Sequence, residues 1–206
     1  MLTLKKTSSE YHHGDLQSAL ITAGLRQVEK NGLNSLGLRQ LAVETGVSPA
    51  AVYKHFQDLD HLKACIAKAS REILGSMMLK SLKQLPDEPK TKLDALKRLR
   101  ATGSAYIDFG VQKKNLFEIA FISFDSPDLG PDSPNSYQIF LDCLIDLNKL
   151  GALSDSNLLI APAMAWSAVH GFASLATHGI YGNKAEIEVF KDSVLSGVPR
   201  LIQIEL

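Results

Sequence analysis

The sequence predicts an all-α protein of roughly nine helices, on three observations. Apolar residues recur at three- and four-residue intervals along almost the whole chain, no stretch sustains the apolar–polar alternation of a strand, and no Asn-Gly pair stands between two alternating runs as a hairpin signal would. At 206 residues and 45% hydrophobic composition the chain can bury a real core. In the first helix, predicted over Asp15 to Asn31, the residues Leu16, Leu20, Ile21, Gly24, Leu25 and Val28 make one stripe. Asp15 is placed to cap its start and Gly32 to stop it. A short second helix runs from Leu38 to Thr45 and ends at Gly46. Ser48-Pro49 is the sharpest local signal, a preferred cap followed by a residue preorganised for the first helical position, so a brief third helix starts at Pro49 and ends near His55-Phe56.

Asp58 or Asp60 opens a longer fourth helix reaching Lys83, where Pro86 and Pro89 break the pattern. Periodicity resumes over Thr91 to Phe109 and over Lys114 to Phe124, the latter carried by Phe117, Phe121 and Phe124. Three prolines and a glycine make Ser126 to Ser136 a loop. Helices follow at Tyr137 to Leu150, Asn157 to His178 and Lys184 to Ile204, the last disturbed by Gly197 and Pro199.

The formal net charge is zero, which argues against a generic polyanion binder. Residues 1–57 are nonetheless weakly basic: Lys5, Lys6, Arg26, Lys30, Arg39 and Lys54 stand against Glu10, Asp15, Glu29 and Glu44, a net of +2. Any nucleic acid is expected at that end, with a modest electrostatic contribution. No run of about 18 apolar residues and no secretory apolar region are seen, so no membrane is expected and the location is read as cytoplasmic. Cys65 and Cys143 match no metal-ligand spacing and read as buried small hydrophobes. No cofactor or metal is expected.

Three helices within the first 57 residues, with the tight turn Thr45-Gly46-Val47-Ser48 between the second and third, have the organisation of a helix-turn-helix. Leu41, Ala42, Val47 and Val52 would pack the pair on the first helix. That leaves Arg39, Ser48, Ala50, Ala51, Lys54 and His55 outward, where recognition-helix residues meet base edges and phosphates.

The run Leu38 to Phe56, LRQLAVETGVSPAAVYKHF, resembles the DNA-binding signature of TetR-family regulators, in which a short recognition helix ends in Tyr-x-His-Phe, here Tyr53, His55 and Phe56, followed by Asp58. The opening Tyr11-His12-His13-Gly14-Asp15-Leu16 and the later Ala165-Trp166-Ser167-Ala168-Val169-His170-Gly171 resemble a subgroup with a C-terminal Trp and His-Gly motif. The resemblance implies double-stranded operator DNA as partner, base contact from Arg39, Ala50 and Ala51, and phosphate contact from Ser48, Tyr53, Lys54 and His55. Two residues depart from the pattern. Leu59 stands where many relatives carry a phosphate-binding Lys, and Gly37 where a capping Thr is usual.

The implied organisation is a DNA-binding domain over residues 1–60 and a ligand-sensing and dimerisation domain over 61–206, with repression as the default outcome. Tyr106, Phe117, Phe121, Phe124, Met164, Trp166 and His170 are the candidates for an apolar small-molecule site between helices. The resemblance also implies a homodimer through the last two helices. Ala161, Ala165, Ala168 and Gly171 offer close approach, and Val189, Val194, Leu195, Val198, Leu201 and Ile202 supply apolar area. Competing readings stand beside each assignment. Arg39 could be a solvated charge, Tyr53 a core aromatic and His55 a packing residue; the aromatic set could be plain core and His170 a structural histidine. At the level of the whole chain the alternatives are a helical protein-interaction adaptor without DNA binding, or an enzyme. The enzyme reading has against it the lack of a nucleophile elbow, a glycine-rich phosphate loop or a metal-spaced His/Cys set.

Overall fold

The computed structural model describes residues 13–206, with side chains from Leu16 onward. Among the described residues are nine α-helices, one 3-10 turn at Leu33–Ser35 and no strand. An amino-terminal trio, α1 (His13–Asn31), α2 (Leu38–Thr45) and α3 (Pro49–Tyr53), is followed by α4 (Leu59–Leu82). Then come α5 (Lys92–Gln112), α6 (Lys114–Ala120), α7 (Ser136–Lys149), α8 (Asp155–Thr177) and α9 (Lys184–Leu201). Tyr11 and His12 of the opening motif, with Lys5, Lys6 and Glu10, lie outside the described residues.

Short polar side chains set most of the helix starts by accepting backbone N–H groups that have no intrahelical partner. Ser48 caps α3, Asp58 α4, Thr91 α5, Asn135 α7 and Ser154 α8, and Asn183 with Glu186 forms a reciprocal capping box on α9. Each such cap is worth about 1 kcal/mol. Gly37 precedes α2 with no side-chain bond, as its identity requires.

Several boundaries differ from the periodicity; α3 ends at Tyr53 rather than near His55-Phe56, and α5 continues past Phe109 to Gln112. α1 begins at His13, so Asp15 falls inside its first turn rather than ahead of it. α6 ends at Ala120, which leaves Phe121 at its terminus and Phe124 in the following loop. α8 begins at Asp155, where Ser154 provides the cap that Asn157 cannot. α9 runs through Gly197 and Pro199 to Leu201; Pro199 removes one bond, the N–H that would reach the Leu195 carbonyl, and lies only two residues from the helix end, so little of the helix stands beyond the break.

α4 is the spine. It packs on α1 near its start and on α5, α6 and α7 along the rest. The loop over residues 121–135 lies against it: Arg71 on α4 makes a two-pronged contact to Asp132, Nε to Oδ2 at 2.6 Å and Nη2 to Oδ1 at 3.0 Å. Its Nη1 also donates to the Ala120 carbonyl at 2.9 Å. The loop approaches so closely that a Cβ on Gly75 would overlap the Pro134 carbonyl. Cys65 and Cys143 are buried and unpaired. Burial pushes the Cys143 thiol up to about 11 and raises that of Cys65, so both behave as small apolar side chains.

α8 qualifies one expectation. By length and composition it is apolar enough to cross a membrane, with a mean hydropathy of 1.4, yet only 28% of that window is buried within the protomer. Its outward face is therefore apolar surface.

Gly75→Ala is expected to lower the unfolding free energy by about 1–3 kcal/mol, the usual cost of overpacking a close contact. Ser76→Ala, its exposed neighbour, should stay within about 0.5 kcal/mol. Urea titration followed by circular dichroism checks both, and equal effects would remove the close-approach explanation.

Candidate functional site

The turn between α2 and α3 is built by Gly46 at φ 70°, with the Val47 N–H donating to the Ala42 carbonyl at 3.0 Å. Leu41, Ala42, Val52 and Phe56 are buried with Leu20, Val28, Leu62 and Ile66 beneath them, so the trio and the start of α4 share one core. Val47 is half-buried against it, as its spacing suggested. Gln27 on α1, 4% exposed, donates to Glu44 and ties α1 to α2. The last turn of α3 tightens, with the His55 N–H on the Val52 carbonyl at 3.0 Å. His61 then closes the corner: its Nδ1 accepts from the Gln57 N–H at 3.2 Å and its ring meets Phe56 edge-on at 5.7 Å. Sequence reasoning passed over His61, which has no motif of its own.

What remains on the outside is the set expected there. Arg39, Ser48, Ala50, Tyr53 and Lys54 are exposed, while Ala51 and His55 are half-buried at the edge of the same face. Tyr53 is 50% exposed, which excludes the core-aromatic reading. Leu59, the departure from the family pattern, packs on the core rather than reaching outward.

The second group of candidates divides. Tyr106, Phe117, Phe121, Trp166 and His170 come together. The Tyr106 hydroxyl is hydrogen-bonded to His170 Nδ1 at 2.7 Å, and Trp166 meets the Tyr106 ring edge-on at 5.0 Å. His170 stacks on Phe117 at 5.3 Å and meets Phe121 edge-on at 5.2 Å. This assembly fastens α5 to α6 and α8. Phe124 is not part of it; it sits in the loop with Lys63 over its ring at 5.8 Å. Met164 is half-buried against the core, away from the cavity described next.

Beside Tyr106 and Trp166 lies an apolar cavity among α4, α5, α7, α8 and α9, with Leu99, Phe140, Val169 and Leu195 on its walls. Only these two of the seven candidates line it. Its free volume is about 30 Å³, room for about two water molecules. The wall residues on α5 follow a helical stripe, Leu96, Leu99, Gly103 and Tyr106, which was the signal available.

The dimer candidates also need correction. Ala161 and Ala165 are buried in the protomer's own core, as are Leu195, Val198 and Ile202. Gly171, Val189 and Leu201 of the candidates do face outward, and their ridge neighbours differ from those expected. On α8 the ridge is Leu159, Ala163, Ser167, Gly171 and Leu175, and on α9 it is Val189, Ser193, Gly197 and Leu201. A Cβ on Gly171 or on Gly197 would meet nothing.

Burial holds the His170 imidazole below its ordinary 6.5. The unfolded chain therefore takes up this proton at higher pH than the folded one, and stability falls as pH drops through the window just below 6.5. The melting temperature should decline from pH 7 to 5.5 more steeply in the native protein than in His170→Gln. Parallel slopes in a thermal-shift assay would refute this.

Residues 20–62 match the family described as bacterial regulatory proteins, tetR family, and residues 99–198 the tetracyclin repressor-like C-terminal domain. No curated protein matches. Among solved structures, the chain is similar to a protein of unknown function from Rhodococcus sp. RHA1, at 24% identity and TM-score 0.71, covering 92% of this chain and 98% of that one. A TetR variant from Acinetobacter baumannii AYE in complex with minocycline is 19% identical at TM-score 0.62, over 93% and 98%. FadR from Bacillus subtilis in complex with stearoyl-CoA is 15% identical at TM-score 0.65, over 88% and 96%. These identities speak for the fold alone, whereas the two family matches together take in well over half of the sequence, one over the reading head and one over the cavity. The chain belongs to the TetR family of bacterial regulatory proteins.

Proposed function

We propose that this DNA-binding regulator is a homodimeric repressor whose operator affinity is set by a small molecule held in the α4–α9 cavity. The observation that carries the reading is the face of α3: a short helix, capped by Ser48 and standing on Val52 and Phe56, turns Ala50, Tyr53 and Lys54 outward beside Arg39 of α2. In this reading residues 1–60 form the DNA-binding domain and 61–206 the sensing and pairing domain. Arg39 reads a base edge, with a two-pronged contact to guanine as its natural mode. Ala50 and Ala51 lie against thymine methyls or sugars, and Ser48, Tyr53, Lys54 and His55 hold phosphates.

Pairing through α8 and α9 is supported by the two outward ridges. Both follow the four-residue row along which helices interdigitate, and both carry small residues at the centre and aliphatic ones at the ends. Soluble monomers rarely leave so much apolar surface contiguous and open. Two copies also supply the pair of reading heads that successive major grooves require, about 34 Å apart.

The cavity supports the sensing role. A free volume of about 30 Å³ is far below the several hundred that a bound metabolite fills, so a ligand has to part the helices. Met78 on the wall belongs to α4, whose other end begins next to the reading head. Opening the cavity therefore displaces the helix that carries the head, and the ligand's effect is bounded by its differential affinity for the two arrangements. The protein acts in the cytoplasm, where its operator is, and performs no catalysis.

On DNA from beside its own gene, Arg39→Ala should lose about 1–3 kcal/mol of base discrimination. Lys54→Ala should weaken all sequences alike and reduce the salt slope by about one. A gel shift at several salt concentrations reads both; operator binding unchanged by either substitution would sink the assignment. Gly171→Leu, which has open space within the protomer, should convert the dimer to monomer in sedimentation velocity. A fully dimeric variant would place the pairing face elsewhere.

A further inference from the structure

We infer that the effector is an amphipathic organic acid, with its apolar body in the cavity and its anionic head on Arg100; this rests on the sensing reading above. Arg100 is the one charged side chain among the residues lining the cavity. The two hydroxyls on the wall are already committed. The Thr102 hydroxyl donates to the Leu99 carbonyl at 2.9 Å, and the Tyr106 hydroxyl is bonded to His170. Arg100 is different. Its guanidinium bonds Asp192 through Nη2 and the Ser196 hydroxyl through Nη1 at 3.2 Å, which uses two of five donors.

Its position suits a gate. The side chain is 37% exposed, so it stands at the rim rather than in the floor, and its partner Asp192 is 72% exposed on α9. A carboxylate on a surface helix loses little by turning back to water, because exposed ion pairs hold weakly. A ligand carboxylate arriving with its chain in the apolar interior meets the same guanidinium at the edge of a low-dielectric space, where a charged, two-pronged contact is stronger. The displaced Asp192 lies on the helix that also carries Leu195 and Val198 of the cavity wall. Head recognition and cavity opening thus act on the same element. A neutral ligand would leave the Arg100–Asp192 pair intact and gain nothing from it.

Trp166 is the only tryptophan in the chain and lines the cavity, so its fluorescence reports occupancy directly. Octanoate and 1-octanol share a chain and differ in the head. Titration of the full-length protein should show octanoate binding about tenfold more weakly in Arg100→Gln and more tightly in Asp192→Asn, where the competing carboxylate is gone. The affinity for 1-octanol should be the same in all three proteins and below that for octanoate in the native one. Ala165→Leu, which fills the cavity, should abolish both signals, with circular dichroism confirming its fold. Octanoate binding that is indifferent to Arg100→Gln, or native protein that takes both probes equally, overturns the acid assignment while leaving the cavity as a ligand site. Failure of both probes to bind overturns it too; the operator gel shift, which needs no ligand, shows separately whether the regulator reading stands.

Discussion

The architecture depends on how closely other parts of the chain approach α4. Near its start the helix meets α1 at Gly24, where a Cβ would come within 2.7 Å of Ile66 Cδ1. Further along, Gly75 admits the backbone of the α6–α7 loop, and Arg71 and Glu72 hold that loop down through Asp132 and the Ser133 N–H. Along the same helix Leu62, Ile66, Leu74 and Met78 are all buried. Interiors packed at crystal density do not deform smoothly. In the proposed mechanism a displacement at Met78 is therefore carried along the helix rather than absorbed around it. Glu29 strengthens the same link from outside α4, since its side chain pairs with Lys113 and its carbonyl accepts from Asn115, joining α1 to the start of α6.

The Trp and His-Gly motif is explained by this arrangement without a ligand. His170 and Trp166 point inward and lock α5, α6 and α8 together through Tyr106, whose phenol burial keeps protonated. Gly171, next in the chain, points the other way, into open space on the outer ridge. Adjacent residues on a helix lie about 100° apart. One dipeptide can thus serve the internal lock and the pairing surface together.

The helix count, the reading head and its outward residues were legible in the sequence because capping and turn residues are local signals. Ser48-Pro49, Gly46 and Asp58 act within four positions of themselves. The errors came where a pattern had two structural meanings. Phe117, Phe121 and Phe124 fall at helical spacing, but α6 stops at Ala120 and the last aromatic belongs to the loop. On α8 small apolar residues occupy both faces, so periodicity could not separate the core alanines 161 and 165 from the outward Ala163. On α9 the same ambiguity placed Leu195 and Val198 on the pairing surface when they wall the cavity. Which face of a wholly apolar helix turns inward is a tertiary fact, decided by neighbours far away in the chain.

The reading face is sparse, and that constrains the regulation proposed for it. On the proposed assignment Arg39 is the side chain given to a base edge, while Ala50 and Ala51 can only touch. With no net charge on the chain, the phosphate contribution rests on a few residues of that face. On that assignment a single head makes few contacts. Joining two makes the second contact intramolecular, and the gain vanishes when geometry forbids both from seating. A ligand need not damage either head, then. In the proposed mechanism it alters only their spacing, so a coupling of about 1–3 kcal/mol through α4 acts on the linked pair rather than on one site.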